Sequence, residues 1–269
     1  MQYDPIKKGV GRFFSGPALM RRILYFLLDL LLLRTWHVNK ELRKISKIYP
    51  NEATILDAGT GFGQYAWRMA RKNKNWKIRA IDIDPEHIES NTRFIKKSGL
   101  SDRILCDTAD LLKLDETSAY DFILCVDVME HIEDDELVLR NFRHALKEGG
   151  SVLISTPSDM GGSDVHTEEE QSFIGEHVRD GYSIEEISRK LENANFSNIK
   201  AIYTYGKPGN ISWHLTMKYP VSMLGISSLF YLILPFYYLL TLPLIIILNI
   251  FDLILTHRSG TGLLVSACK

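Results

Sequence analysis

The sequence predicts an α/β fold on a mostly parallel sheet, with apolar helices added before and after its main run. Three observations predict it. From residue 54 to residue 156, short apolar runs alternate with amphipathic, helix-like segments. The first run leads into a turn with glycine at alternate positions, Asp57-Ala58-Gly59-Thr60-Gly61-Phe62-Gly63. The second run carries an acid, Asp82, at its end, 19 residues past the last of those glycines. With 269 residues, 45% apolar and 24% charged, the chain can bury one such core with embellishments.

In chain order, residues 1–49 form a basic and apolar helical region. Residues 1–50 hold ten Lys and Arg against three Asp and Glu, although the whole chain has a net charge of −1. Here Arg21-Arg22 precede the run 23–28, Asp29, and Leu30-Leu31-Leu32-Leu33. Asp29 interrupts the apolar stretch, and Arg34-Thr35-Trp36-His37 has no small-residue cleavage site, which argues against a signal peptide. Two readings stay open: an amphipathic helix lying at a membrane interface, and a core helix covering the sheet. Basic residues interleaved with aliphatic ones suit a lipid surface rather than a phosphate groove, so a membrane partner is expected and nucleic acid is not. Cys106, Cys125 and Cys268 show no CxxC spacing, so neither a disulfide framework nor a zinc site is predicted. The expected location is the cytoplasmic face of a membrane, in peripheral or monotopic attachment.

The strand series follows. Residues 54–56 form the first strand, 64–73 a helix, 76–83 the second strand, 104–111 the third strand and its exit, and 120–126 the fourth. A helix over 135–147 stops at Gly149-Gly150, and 151–156 is the fifth strand. Ser183 with Glu186 reads as a capping box for a helix over 184–193. Two more strands, 199–205 and 262–268, flank an insertion at 207–259. Its centre, 229–248, is twenty residues without a charge, long enough to span a bilayer. If both flanking strands share one sheet, however, the insertion must leave and return on one side. The 35 residues of 221–255 are too few for two crossings, which take about 40 apolar residues plus a turn. A shallow helical hairpin is predicted, broken at Pro235 and Pro243, with Lys218, His257 and Arg258 near headgroups.

The glycine turn lets a ligand approach the backbone closely and exposes helix N-terminal N–H groups to it, while Asp82 is placed to accept from ribose hydroxyls. The dinucleotide fingerprint GxGxxG requires Gly or Ala at position 64, where Gln64 stands. Asp127, Glu130 and His131 follow the fourth strand, in the crevice where open α/β sheets bind ligands. They are candidates for a proton-removing base or for holding a divalent metal. Asp127-x-x-Glu130 also reads as a capping-box-like opening of a helix.

Together, residues 57–63, Ile81-Asp82-Ile83, 107–111, Tyr120-Asp121, Glu130-His131, 147–150 and the fifth strand resemble the ordered motifs of class I S-adenosylmethionine-dependent methyltransferases. The resemblance covers about residues 50–206 plus the strand from Gly262. The Glu-His pair and the late insertion are most similar to ubiquinone-biosynthesis-type small-molecule methyltransferases.

The resemblance implies a Rossmann-like seven-stranded sheet in the order 3-2-1-4-5-7-6 with the last strand antiparallel, and S-adenosyl-L-methionine as cofactor. It places Gly59, Gly61 and Gly63 by the methionine part, Asp57 at its amino end, and Asp82, flanked by Ile83, on ribose. Thr108 and Ala109 border adenine, and the backbone of Cys125 and Val126 lines the pocket. Some related quinone O-methyltransferases associate a Glu-x-x-Glu-His stretch with a divalent metal such as magnesium. Here Asp127 holds the first position, so Asp127, Glu130 and His131 stay open as ligands, as base machinery or as architecture. The stretch from His177 to Tyr182 resembles a lid motif, with His177 near the acceptor. The expected function is O-methylation of a lipophilic small molecule, such as a quinone precursor, isoprenoid, pigment or lipid, at a membrane surface. A membrane-tethered enzyme with a soluble acceptor and a noncatalytic cofactor-binding scaffold remain as alternatives.

Overall fold

Seven strands form one sheet in the order β3-β2-β1-β4-β5-β7-β6. The computed structural model describes residues 17–161, 178–227 and 229–269. Two helices, α1 (Ala18–Leu31) and α2 (Leu33–Ile48), precede β1 (Ala53–Ala58), α3 (Gln64–Lys72), β2 (Trp76–Asp82), α4 (Pro85–Lys97), β3 (Ile104–Thr108) and β4 (Tyr120–Val126). Then come α5 (Asp135–Ala145), β5 (Leu146–Pro157), α6 (Ile184–Asn193) and β6 (Ser197–Thr204). The strands β1 to β5 pair in parallel, and β7 (Gly262–Cys268) runs antiparallel between β5 and β6. This is the predicted topology.

The core lies on both faces of the sheet because neighbouring strand residues point to opposite sides. Ile55, Phe122, Leu124 and Leu264 pack with Tyr25, Val38, Leu42, Met69 and Phe94 from the helices α1 to α4. Leu56, Ile123 and Val265 pack on the other face with Val138, Phe142, Ile187 and Leu191 from α5 and α6. Capping fixes helix starts locally: Asp84 accepts from the Glu86 N–H and Ser183 from the Glu186 N–H.

The N-terminal region covers the core with one face of its first helix and leaves the other exposed. The chain leaves helical backbone at Leu32 (φ −90°, ψ 108°), making two helices of the expected one. In α1, Arg21, Leu24 and Tyr25 are buried, while Leu19, Ile23, Phe26 and Leu27 are exposed. One face thus covers the core and the other is an apolar strip open to the surroundings.

The insertion is a helical hairpin, but not one broken at its prolines. Residues 207–226 form the first arm, made of α7 (Lys207–Trp213), a π-helical turn (His214–Lys218) and α8 (Tyr219–Ile226). The return arm is one 25-residue helix, α9 (Phe230–Ile254), with Pro235 and Pro243 inside it. An interior proline costs about 3 kcal/mol in a lost hydrogen bond and a clash, which a long helix anchored along its partner arm sustains. The reversal comes instead at Ser227, whose extended backbone (φ −160°, ψ 138°) ends α8 and whose hydroxyl accepts from the Leu229 N–H.

The arms run antiparallel and bond through polar groups turned inward. The Ser212 hydroxyl donates to Asn249, and the Tyr237 and Tyr238 hydroxyls donate to the Leu215 and Thr216 carbonyls in the π turn. At the base, Asp252 is fully buried and bonded to His37 at 2.8 Å and to the Gly209 and Tyr205 N–H groups. The His257 ring also lies against Asp252, at 3.2 Å, so it is buried at the hinge and not beside headgroups as expected. Arg258 is exposed.

Candidate cofactor and acceptor site

β1 and β4 pair at the point where strand order reverses, and in open α/β sheets the ligand crevice lies beyond the C-terminal ends of such strands. The Gly59 and Thr60 N–H groups both donate to the Ile81 carbonyl, which holds the glycine turn against β2. Gly59 has φ +75°, and a Cβ there would lie 2.2 Å from a Val128 methyl, so the position admits only glycine. Gly61, at φ +51°, would point a Cβ into open space with nothing within 4 Å, so the loop backbone there faces the crevice without obstruction. Gly63, also left-handed, starts α3.

Two acids bracket this loop. Asp57 is 2% exposed; its carboxylate accepts from the Thr60 hydroxyl at 2.6 Å and the Ala66 N–H at 3.2 Å. Burial outweighs those bonds and pushes its pKa up to about 6. Asp82 accepts from the Gly61 N–H at 2.7 Å and the Asp84 N–H at 3.0 Å. Burial pushes Asp82 up, but the pull of His87, 3.8 Å away, and those N–H groups outweigh it and hold the carboxyl below its ordinary value. Each Asp82 oxygen keeps a second lone pair, as a ribose diol requires. Ile83 is 72% exposed beside it, an apolar wall suited to a purine face. The Ala109 N–H donates to the Asp82 carbonyl, which brings Thr108 and Ala109 to the same rim. The turn, the acid and the apolar wall fit S-adenosylmethionine.

Three residues outside the motifs hold this loop. The Arg21 guanidinium donates to the Phe62 carbonyl at 2.7 Å and to Asn91 at 3.0 Å, and the Tyr25 hydroxyl donates to the same carbonyl at 2.5 Å. Asn91 in turn donates to the Gly61 carbonyl. A helix read as membrane-facing therefore clamps the cofactor loop. Only the i, i+4 spacing of Arg21 and Tyr25 hints at a shared face, and nothing in the sequence ties it to Phe62.

At the end of β4, Cys125 is fully buried and Val126 ends the strand half-buried. Asp127 takes a left-handed backbone (φ +51°) and ion-pairs with Arg34, from the start of α2. The following turn, Met129–His131, has no side-chain cap, so Asp127 and Glu130 do not form a capping box. Glu130 is 1% exposed and accepts from the Thr156 hydroxyl; burial raises its pKa. His131 is half-buried on the same turn. Among the described residues no three His, Cys, Asp or Glu side chains gather as metal ligands. The metal alternative left open for Asp127, Glu130 and His131 is not supported, because Asp127 turns to Arg34 and Glu130 turns inward to Thr156. His177 lies outside the described residues. Arg179 and Tyr182 of the same motif both bond to buried Asp135, clamping the turn after β4 rather than facing the crevice.

With this geometry in place, the comparisons are decisive about family. A family model described as a methyltransferase domain matches residues 32–201, more than half of the chain. The chain belongs to the methyltransferase-domain family. The chain is 33% identical over 102 residues to a ubiquinone biosynthesis O-methyltransferase of Rickettsia conorii, covering 38% of this chain and 34% of that protein. It is 27% identical over 111 residues to the protein of the same name from Xanthomonas axonopodis pv. citri, covering 41% and 46%. The match thus spans between a third and a half of those relatives' length. Among solved structures it is similar to Haemonchus contortus phosphoethanolamine N-methyltransferase 2 bound to S-adenosyl-L-methionine, with TM-score 0.61 and 18% identity over 86% of this chain and 52% of that one. It is also similar to the [4+2]-cyclase SpnF, with TM-score 0.59 and 15% identity, covering 86% and 80%. These likenesses establish the class I methyltransferase fold; function rests on the site.

Proposed function

We propose that this methyltransferase transfers the methyl group of S-adenosylmethionine to a hydroxyl of a lipophilic small molecule at a membrane surface. The observation that carries the membrane half is α9. Within its most apolar 18 residues only 6% are buried, and Leu232, Phe236, Leu239 and Leu240 are each at least 69% exposed. Burying such a side chain is worth roughly 1.5–3 kcal/mol, so submerging these four with Ile226 and Leu229 at the tip gains on the order of 10 kcal/mol. Polar groups of the two arms also bond across the hairpin, Ser212 to Asn249 and the Tyr237 and Tyr238 hydroxyls to the π turn, which suits a lipid environment. Its base joins the sheet at the same end as the crevice, since Thr204 pairs with Gly262, and Gly262 with Pro157 at the end of β5. A lipid-dissolved acceptor therefore has a short path from bilayer to site.

When bound, the cofactor supplies a methyl group already activated on a sulfonium. The chain's own task is alignment and removal of the acceptor proton. Asp82 holds the ribose, with Ile83, Thr108 and Ala109 around adenine. Asp57 orients the methionine ammonium directly or through water, under the backbone of Gly59, Gly61 and Gly63. His131 removes the hydroxyl proton. Glu130, its neighbour on the same turn and bonded to the Thr156 hydroxyl, acts as a positioning residue for it.

The test is methylation of a lipid extract by the purified enzyme with methyl-labelled cofactor. Label in an organic-soluble product, lost with His131→Ala, supports the reading. Label appearing only when a water-soluble metabolite extract is supplied would replace it with a tethered enzyme of a soluble acceptor.

A further inference from the structure

Away from the crevice, α1, α2 and α3 enclose a second cleft of about 550 Å³. Its walls carry Arg22 and Asp29 from α1, Arg43 from α2, and Arg68, Arg71 and Lys72 from α3. Five cations thus face one carboxylate, and Asp29 is already taken by Arg68. Among the described residues no acid pairs with Arg22, Arg43, Arg71 or Lys72. The crowding is felt: burial and then Arg71 lower the pKa of Arg68, and burial, Arg43 and Arg68 lower that of Lys72. Cations in the last turn of α3 favour the helix dipole, which accounts for Arg71 and Lys72. It does not account for Arg22 and Arg43 converging on them from two other helices.

We propose that this cleft binds the phosphate of an anionic phospholipid, with the acyl chains lying along α1. Guanidinium forks and an ammonium are the donors that suit phosphate oxygens. The volume lies in the range of small-molecule pockets and accommodates a headgroup. The lipid source is argued from the rim. Phe26 lines the cleft at 62% exposure, and Leu19, Ile23 and Leu27 continue an uncovered apolar strip on the same helix. A basic cleft opening onto an apolar helix face is the arrangement of an interfacial lipid contact, and a soluble phosphate has no use for that strip. This site shares no lining residue with the cofactor crevice and does not depend on the reaction proposed there.

The experiment is calorimetric titration of the full chain in neutral detergent with dihexanoyl phosphatidic acid, dihexanoyl phosphatidylcholine, inorganic phosphate and a short single-stranded oligonucleotide. The double variant Arg43→Gln/Lys72→Gln removes two exposed, unpaired cations and leaves the cofactor site untouched, with S-adenosylhomocysteine affinity as the check on folding. The expected result is saturable binding of phosphatidic acid, with phosphatidylcholine and inorganic phosphate each about tenfold weaker or more. The double variant should lose about tenfold or more for phosphatidic acid while keeping its cofactor affinity. Inorganic phosphate binding as tightly as phosphatidic acid would overturn the lipid source. An oligonucleotide binding more tightly would overturn it in favour of nucleic acid. No saturable binding of phosphatidic acid, or binding unchanged in the variant, would overturn the site itself.

Discussion

Asp57 is held where burial makes its charge costly. Its carboxyl, pushed up to about 6 from an ordinary 3.8, keeps its proton more tightly in the folded than in the unfolded chain. Its contribution to stability is therefore present below about pH 4 and lost as pH rises through about 6, a cost of about 3 kcal/mol at neutral pH. Asp57→Asn keeps an acceptor for Thr60 and sheds that cost. The variant should be more stable in denaturant titration, by up to about 3 kcal/mol, yet bind S-adenosylhomocysteine about tenfold more weakly or worse. By the same argument, wild-type cofactor affinity should fall as pH drops through about 6, and calorimetry on Asp57→Asn should show that dependence gone. The Phe62 clamp gives a second expectation: Arg21→Ala should weaken cofactor binding by about fivefold to thirtyfold, because a charged donor to that loop carbonyl is lost. Asp57 and Asp82 were readable because they lie within local motifs, where turn chemistry fixes role by spacing. Arg21 was not, because its partner is 41 residues away and its neighbours spell an apolar helix.

At the scale of elements, the hairpin shows where sequence rules stop. Pro235 and Pro243 mark helix breaks in isolation, but α9 runs through both, since its partner arm anchors it on either side. His257 follows an apolar helix and reads as a headgroup neighbour, yet Asp252, five residues earlier, recruits it into a buried cluster with His37. Only tertiary pairing reveals that cluster, because His37 lies 215 residues from Asp252. Removing one partner of such a cluster leaves the others buried and uncompensated. Asp252→Ala should cost about 3–5 kcal/mol in chemical unfolding, against a much smaller effect from replacing exposed Arg258. Replacing residues 219–242 with a short Gly-Ser linker spares the base and removes the exposed tip. That protein should no longer float with neutral phosphatidylcholine vesicles, which lack the anionic headgroup proposed for the α1 cleft, and should bind S-adenosylhomocysteine like wild type. Vesicle binding that survived the replacement would move the membrane contact to α1.

The whole molecule is a seven-stranded sheet with apolar helices added at two places: before β1, where α1 clamps the glycine loop, and between β6 and β7. The strand order was legible because buried parallel strands read as apolar runs and the series of turns has few topological solutions. The hairpin's existence followed from the same logic, since Thr204 and Gly262 must meet in one sheet. The course of the N-terminal helices was not legible: an amphipathic segment states that one face is buried, not against what. The central claim is that the crevice between β1 and β4 holds S-adenosylmethionine. Calorimetric titration of S-adenosylhomocysteine into the detergent-purified chain, wild type against Asp82→Ala, tests it most directly. The account predicts saturable binding to wild type that the substitution abolishes while circular dichroism stays unchanged. Folded wild-type protein that binds no S-adenosylhomocysteine, or a variant that binds it equally well, would contradict it.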